Sequence, residues 1–406
     1  MQFIYNQIMK IAFLTAGGIA PCLSSSIAFL IEKYNDIIPD AELIGYLNGY
    51  QGLLLGRSIT FPNSIKNNYD LLHNFGGSPI GNSRVKLTNI EDCINRNYVK
   101  KGQDPLKIAA DQLVKDGINI LHTIGGDDTN TMAAKLSFYL RDNGYNLTVM
   151  GLPKTVDNDV YPVSQTLGAW TAAEQGAIFF ENVANENTTS TRQLIIHEVM
   201  GRHCGWLTAQ TARDYRTRLK KRVFLPDLLV SSERWDIDAV FLPEEDMNLD
   251  SEIDRLSKVM VDKDGVNIFL SEGAGQEAIV RDLESNGKMV PRDAFGHVRL
   301  DEINPGQWFA KEFSKRLGAE KTLVQKSGYF ARSSKANKKD LALIKNCANF
   351  AAKHALEEKS GLAGLDDSKN GELNLIDFER IKGGKPFNVD LDWYKSMLID
   401  IGQKKE

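Results

Sequence analysis

The stretch from Ile118 to Val160 limits what this chain can fold into. It holds two short apolar runs, Ile118 to Ile124 and Leu147 to Leu152, with a helix-period segment, Met132 to Arg141, between them. Each run is short, rich in branched residues and bounded by glycine or proline, the pattern of a buried strand. Gly125 and Gly126 end the first strand, and Asp127, Asp128, Thr129 and Asn130 offer helix-capping side chains. Asn143 and Gly144 break the helix, and Pro153 closes the second strand. The unit is strand–helix–strand, and an open parallel sheet binds ligands outside the carboxyl ends of its strands.

Both ends carry chemistry. The first offers two glycines, two carboxylates and a helix N-terminus, whose free N–H groups suit phosphate. Carboxylates belong beside phosphate only if one of them holds a hard cation such as Mg²⁺. The second end places Lys154, Thr155, Asp157, Asn158 and Asp159 within six residues, a cation beside a base. Taken singly, the first cluster also reads as a capped turn and the second as a polar loop. They start 28 positions apart, at Gly125 and Pro153, with one helix–strand unit between. A parallel sheet would bring both to one edge.

GGDD followed by PKTVDND resembles the phosphofructokinases. The ATP-dependent branch of that family usually has glycine where Asp128 and Lys154 stand; the pyrophosphate-dependent branch has Asp and Lys, and this chain resembles it at both positions. The resemblance runs from about Lys10 to the end. It implies an α/β protein with two similar doubly wound lobes and a cleft between them. The donor and metal lobe is expected at 9–164 plus roughly 336–385, and the sugar-phosphate lobe at roughly 165–335 plus 386–406.

Other stretches take their reading from the same resemblance. Strand Lys10–Thr15 ends in Ala16-Gly17-Gly18 before a helix from about Cys22 to Tyr34. Only glycine lets backbone approach an anion so closely, and the family has a similar pair, so Gly17 and Gly18 are pyrophosphate-binding candidates. Ile19 stands where the family usually has an aspartate. Arg84, in Gly81-Asn82-Ser83-Arg84, resembles an arginine facing the transferring phosphate and reads equally as a surface arginine. Met200, Gly201 and Arg202 close the strand Leu194–Met200 and resemble the sugar-phosphate motif; a strand-end arginine suits bidentate phosphate recognition. Glu272, after the strand Val266–Ser271, matches a carboxylate that accepts sugar hydroxyls. Tyr329 and Arg332, in KSGYFAR, resemble the pyrophosphate branch's YxxR; the alternative is a helix start with i,i+3 packing. A turn at 293–300 (DAFGHVRL) offers His297 and Arg299 as phosphate donors. Arg192 resembles an arginine supplied by a neighbouring subunit, but its spacing to Met200 is one residue off, so it stays outside the site set.

The implied reaction moves a phosphoryl group from pyrophosphate to the 1-hydroxyl of fructose 6-phosphate. Asp157 is the expected base, Asp127 the Mg²⁺ ligand and Lys154 the charge-balancing cation. Thr155 joins Asp157 among the substrate contacts, and Asp128 occupies the place of ATP's α-phosphate. An ATP-dependent enzyme and a non-catalytic sugar-phosphate-binding subunit are the alternatives. The first would have a GGDG-like turn; the second has no need of Asp127, Lys154 and Asp157 together.

Several elements complete the reading: a strand at Glu42–Tyr46, an amphipathic crossover helix at Ser164–Ala184, strands at Val223–Leu225 and Ala239–Leu242, and a long helix at Lys338–Lys359. A glycine- and aspartate-rich turn is expected at Gly361–Asn370, an edge strand at Leu373–Ile381 and a terminal helix at Asp390–Ile401. A net charge of −4 implies no general attraction to nucleic acid or anionic membranes. Cys22, Cys93, Cys204 and Cys347 lack metal spacing and read as reduced thiols. No apolar run approaches the ~20 residues of a membrane span, and Met1 to Met9 is too short and polar for a signal peptide. A cytoplasmic homodimer or homotetramer is therefore expected, the self-association resting on the resemblance.

Overall fold

The structure is a computed structural model that describes residues 8–404 except 226 and 292–298. The chain divides into two compact units, Met1–Thr171 with Arg332–Lys385, and Ala172–Ala331 with Pro386–Glu406. The strands in chain order are β1 (Lys10–Thr15), β2 (Glu42–Tyr46), β3 (Ser58–Thr60), β4 (Ile120–Gly125), β5 (Thr148–Pro153), β6 (Gln193–Val199), β7 (Ala239–Phe241), β8 (Gly265–Ser271), β9 (Lys321–Lys326), β10 (Gly361–Asp366) and β11 (Glu372–Ile376).

In the first unit the strand order is β11-β10-β5-β4-β1-β2-β3. Its five central strands run parallel, and the edges β3 and β11 are antiparallel. One face packs Ala12, Leu14, Leu121 and Val149 against helices Pro105–Lys115 and Asp127–Asp142. On the other face, Phe13 and His122 meet Tyr34 of helix Leu23–Ile37, whose hydroxyl lies 2.7 Å from His122 Nε2.

The second unit holds a parallel sheet in the order β7-β8-β6-β9. Its strands alternate strictly. Ile195, Val240 and Phe269 point into one core, with helices Trp206–Leu219 and Asp392–Asp400. Leu194, Ile196, Phe241, Ile268 and Leu270 point into another, with helices Leu249–Lys263 and Pro305–Leu317. Burial on both faces is what a doubly wound sheet requires.

Four local expectations change. Gly361–Asn370 is no simple turn: Gly361–Asp366 is β10, inside the sheet between β5 and β11. Its glycines serve close packing, since a Cβ at Gly361 would lie 2.8 Å from Leu375 Cδ1 and 2.9 Å from the Ile376 carbonyl. The edge strand stops at Ile376, and the chain then leaves the sheet through the short 3₁₀ turn Phe378–Arg380. Val223–Leu225 forms no strand; Leu225 makes one antiparallel bridge to Val230. The crossover helix begins later than expected, at Ala169. The turn expected at 293–300, with His297, falls almost wholly outside the described residues. Arg299, near its end, is described and pairs with Glu302 at 2.5 Å.

Candidate active site

Three neighbouring parallel strands of the first unit, β1, β4 and β5, end together. Thr15 pairs with Ile124, and Gly125 pairs with Pro153, so the GGDD and PKTVDND clusters start in register. Backbone bonds continue past the strands: Ala16 N–H donates to Ile124 O (3.0 Å) and Lys154 N–H to Gly125 O (2.8 Å). Helix Asp127–Asp142 starts at the first aspartate, with Gly126 as its N-cap. The expected side-chain cap is absent; Asn130 Nδ2 instead donates back to Gly125 O (2.8 Å) and Gly126 O (2.9 Å). Asp127 and Asp128 therefore sit in the first turn, where the helix dipole favours negative charge.

The glycine loop after β1 is shaped by its neighbours. Gly17 has φ +84°, and a Cβ there would lie 3.2 Å from Lys154 Nζ. Its N–H donates to Ser83 O (2.9 Å), which ties in the loop carrying Arg84. Gly18 O accepts from Lys154 Nζ at 2.6 Å. A Cβ on Gly18 would lie 2.5 Å from the Arg332 guanidinium, whose Nε donates to Ile19 O (2.9 Å). These residues line a cleft of about 200 Å³ together with Arg84, Lys86, Asp127, Asp128, Thr155, Asp157 and Asp159. Arg332, grouped by its spacing to Tyr329 with the sugar contacts, thus lies among the pyrophosphate candidates. Tyr329 belongs to the second unit and is 75% exposed.

Lys154 is the unusual group. It is 3% exposed, and among the described residues its ammonium forms no ion pair. Burial lowers its pKa to about 8; Arg332 pushes the same way, while the Cys22 thiol, Asp157 and Asp159 oppose. Two carboxylates face the opposite strain. Burial, then the charge of Asp128, raises the pKa of Asp127; burial, then the charge of Asp127, raises that of Asp159. Asp159 was not singled out from the sequence, although it stands two places after Asp157 in the same loop. The loop turns at Asn158, which has φ 56°. Its Oδ1 accepts from Thr166 N–H (2.7 Å) and its Nδ2 donates to Ser164 O (3.2 Å). Asp157 N–H donates to Thr155 Oγ1 (3.1 Å). Asp128 is different again, with an exposed side chain paired to Lys86 at 2.8 Å.

The set fits a hard divalent cation. Burial raises the pKa of both Asp127 and Asp159, and the charge of Asp127 adds to the rise at Asp159, the response of carboxylates lacking a countercharge. Among the described residues no group of three metal-binding side chains occurs. Mg²⁺ needs none, because it binds one or two carboxylates and completes its octahedron with phosphate and water.

The second unit gathers the remaining candidates. Val199 of β6 pairs with Ser271 of β8, so Met200-Gly201-Arg202 and Glu272 leave adjacent strand ends. Gly201 has φ +134°. Ser271 Oγ donates to Gly201 O (2.6 Å), and a Cβ at Gly273 would lie 1.9 Å from Arg202 O. The side chain of Met200 lies against Gly328. Arg202 and Glu272 are both half-buried. Arg192 is occupied within its own unit: its Nε donates to Gly318 O (2.6 Å), at the end of helix Pro305–Leu317.

The pattern of the family described as Phosphofructokinase matches residues 10–355. The chain is 58% identical over 400 residues to the pyrophosphate–fructose 6-phosphate 1-phosphotransferase of Methylomonas methanica, covering 98% of each chain. It is 54% identical over 396 residues to the protein of that name from Propionibacterium freudenreichii, again covering 98% of each. Among solved structures, the crystal structure of a pyrophosphate-dependent phosphofructokinase from Nitrosospira multiformis superposes with TM-score 0.72 at 17% identity, covering 98% of this chain and 93% of that one. At that identity the superposition speaks for the fold alone. With strand ends in register, a glycine loop over a buried lysine and a family match along most of its length, the chain belongs to the phosphofructokinase family.

Proposed function

We propose that this protein transfers a phosphoryl group from pyrophosphate to the 1-hydroxyl of fructose 6-phosphate, reversibly, giving fructose 1,6-bisphosphate and phosphate in glycolysis and gluconeogenesis. The observation that carries this reading is Lys154, an ammonium buried at a glycine loop without an ion-pair partner among the described residues. A buried charge left unpaired is expensive, and a phosphate oxyanion in the adjoining cleft supplies the missing partner. The cleft's 200 Å³ falls below the about 300–1,000 Å³ of pockets for drug-sized ligands, in keeping with a small inorganic donor.

Phosphoryl transfer leaves little covalent chemistry to the protein, so positioning and charge carry catalysis. Gly17 and Gly18 admit the donor close to the backbone. Lys154 and Arg332 balance its charge. Asp157, held by Thr155 and the Asn158 turn, accepts the proton of the sugar hydroxyl. Asp127 and Asp159 are the residues that would hold Mg²⁺, which supplies charge neutralisation on the phosphoryl oxygens. Arg202 grips the sugar's phosphate, and Glu272 accepts from its hydroxyls. Asp128 keeps a negative group where a nucleotide's inner phosphate would lie. Two anions ~4 Å apart repel by about 4 kcal/mol at an effective dielectric near 20, and Lys86 reduces that figure here. We place the enzyme in the cytoplasm as a homodimer or homotetramer; no described helix is long and apolar enough to cross a membrane.

The test is a coupled assay with fructose 6-phosphate, Mg²⁺ and either pyrophosphate or ATP. Turnover with pyrophosphate far above ATP is expected. Preference for ATP would overturn the donor assignment, and inactivity with both would favour a sugar-phosphate-binding subunit.

A further inference from the structure

The family match ends at residue 355, yet a later segment closes over the loop that carries Asp157 and Asp159. After β11 the chain turns at Phe378–Arg380. Phe378 and Ile381 sink into the core of the first unit. Arg380 donates twice to the buried Asp366, at 2.6 and 2.7 Å. Lys382-Gly383-Gly384-Lys385 then runs antiparallel beside the loop. Tyr161 N–H donates to Gly383 O (3.1 Å), Lys385 N–H donates to Asp159 O (2.7 Å), and Val160 bridges Gly384. The far end is fixed by Lys385 Nζ on Asp367 Oδ2 (2.6 Å). This strap is anchored at both ends to the carboxyl end of β10.

Its two glycines have different reasons to be glycine. Gly383 has φ +81° and open space where a Cβ would go, so its backbone alone disfavours a side chain. At Gly384 no such φ applies. A Cβ there would lie 3.6 Å from Asp159 O and 3.8 Å from both Asp127 Oδ2 and Asp159 Oδ2. A methyl group fits at ordinary van der Waals distance, but it would cover the carboxylate oxygens of both aspartates.

We propose that Gly384 keeps the metal–phosphate site open: by presenting no side chain, it leaves the Asp127 and Asp159 oxygens accessible to a divalent cation and its water shell. This rests on the reading above that these two carboxylates hold Mg²⁺. Each inner ligand keeps its place in the Gly384→Ala variant; only the room beside it changes.

The experiment measures Mn²⁺ binding to the full chain directly, by loss of the free-ion EPR signal, alongside thermal melting of the metal-free protein. Gly384→Ala is expected to melt with the wild type and to bind Mn²⁺ roughly tenfold more weakly, the lower end of the 10–100-fold that outer-shell changes cost. Gly383→Ala, which forces a left-handed residue, is expected to melt lower and, where folded, to keep its Mn²⁺ affinity. Unchanged Mn²⁺ affinity in folded Gly384→Ala overturns the proposal. So does a loss of affinity that appears only with lowered melting and is matched by Gly383→Ala. Asp127→Asn and Asp159→Asn separate the two readings. If they bind Mn²⁺ like the wild type, the metal assignment itself fails; if they lose it while Gly384→Ala does not, only the role of Gly384 fails.

Discussion

Lys154 links burial to pH. Its ammonium titrates at about 8 in the free protein because burial penalises the charge. A bound phosphate anion restores what burial removed, so the pKa rises in the complex. The alkaline limb of kcat/KM for pyrophosphate, which reports the free enzyme, is therefore expected near pH 8, and that of kcat at higher pH. Lys154→Arg, which stays protonated, should lose the limb near pH 8 whatever its rate. A limb that persists unchanged in the variant would assign it to another group. The two arginines divide differently from their sequence grouping. Arg332 lies on Gly18, so Arg332→Ala is expected to weaken pyrophosphate binding, whereas Arg202→Ala weakens fructose 6-phosphate binding. Each charge-assisted contact is worth about 1.5–3 kcal/mol, and separate KM values for the two substrates distinguish the cases.

At the scale of elements, motifs were more legible than their supports. Strands β1 and β2 follow from short branched runs, and the joined clusters at Gly125 and Pro153 follow from one strand–helix–strand period. What escaped was β10, because Gly361 and Gly364 look like turn residues when the reason for them is a neighbour's side chain. Asp159 escaped because its partner, Asp127, lies across the sheet edge rather than along the chain. The ion pair that anchors β10 to the strap gives a test. Asp366 is fully buried, and the Arg380 guanidinium, then Ser368, hold its carboxyl well below the usual range. Arg380→Ala leaves that carboxylate buried with only Ser368 and a distant Asn374 contact (3.5 Å), so destabilisation is expected at or below the about 3–5 kcal/mol of a broken buried pair. The sign of the pH effect follows from the depressed pKa: the pair's contribution is present above the ordinary carboxyl range and disappears as pH falls through the lowered value. Denaturant midpoints of variant and wild type should therefore differ at pH 7 and converge at strongly acid pH.

For the molecule as a whole, the site is a source of strain that ligands relieve. Asp127 and Asp159 have raised pKa values, so their share of stability is present below the unfolded carboxyl range and is lost as pH rises through the folded values. The metal-free protein is expected to gain more in melting temperature from Mg²⁺ at pH 8 than at pH 5, since protons compete for the same oxygens. An equal gain at both would place the ion elsewhere. The order of the chain has a further consequence for how the protein is made. The edge of β5 stays unpaired until β10 emerges from the ribosome, on the order of 200 residues later. At about 5–20 residues per second this lasts roughly 10–40 s. Throughout that interval a nascent chain carries the glycine loop, the buried lysine and the aspartates, yet lacks the strap that holds their loop. An open strand edge of that kind invites pairing with other chains, so chaperone demand during synthesis should fall on the first unit, and a messenger truncated before Gly361 should yield aggregating, inactive product.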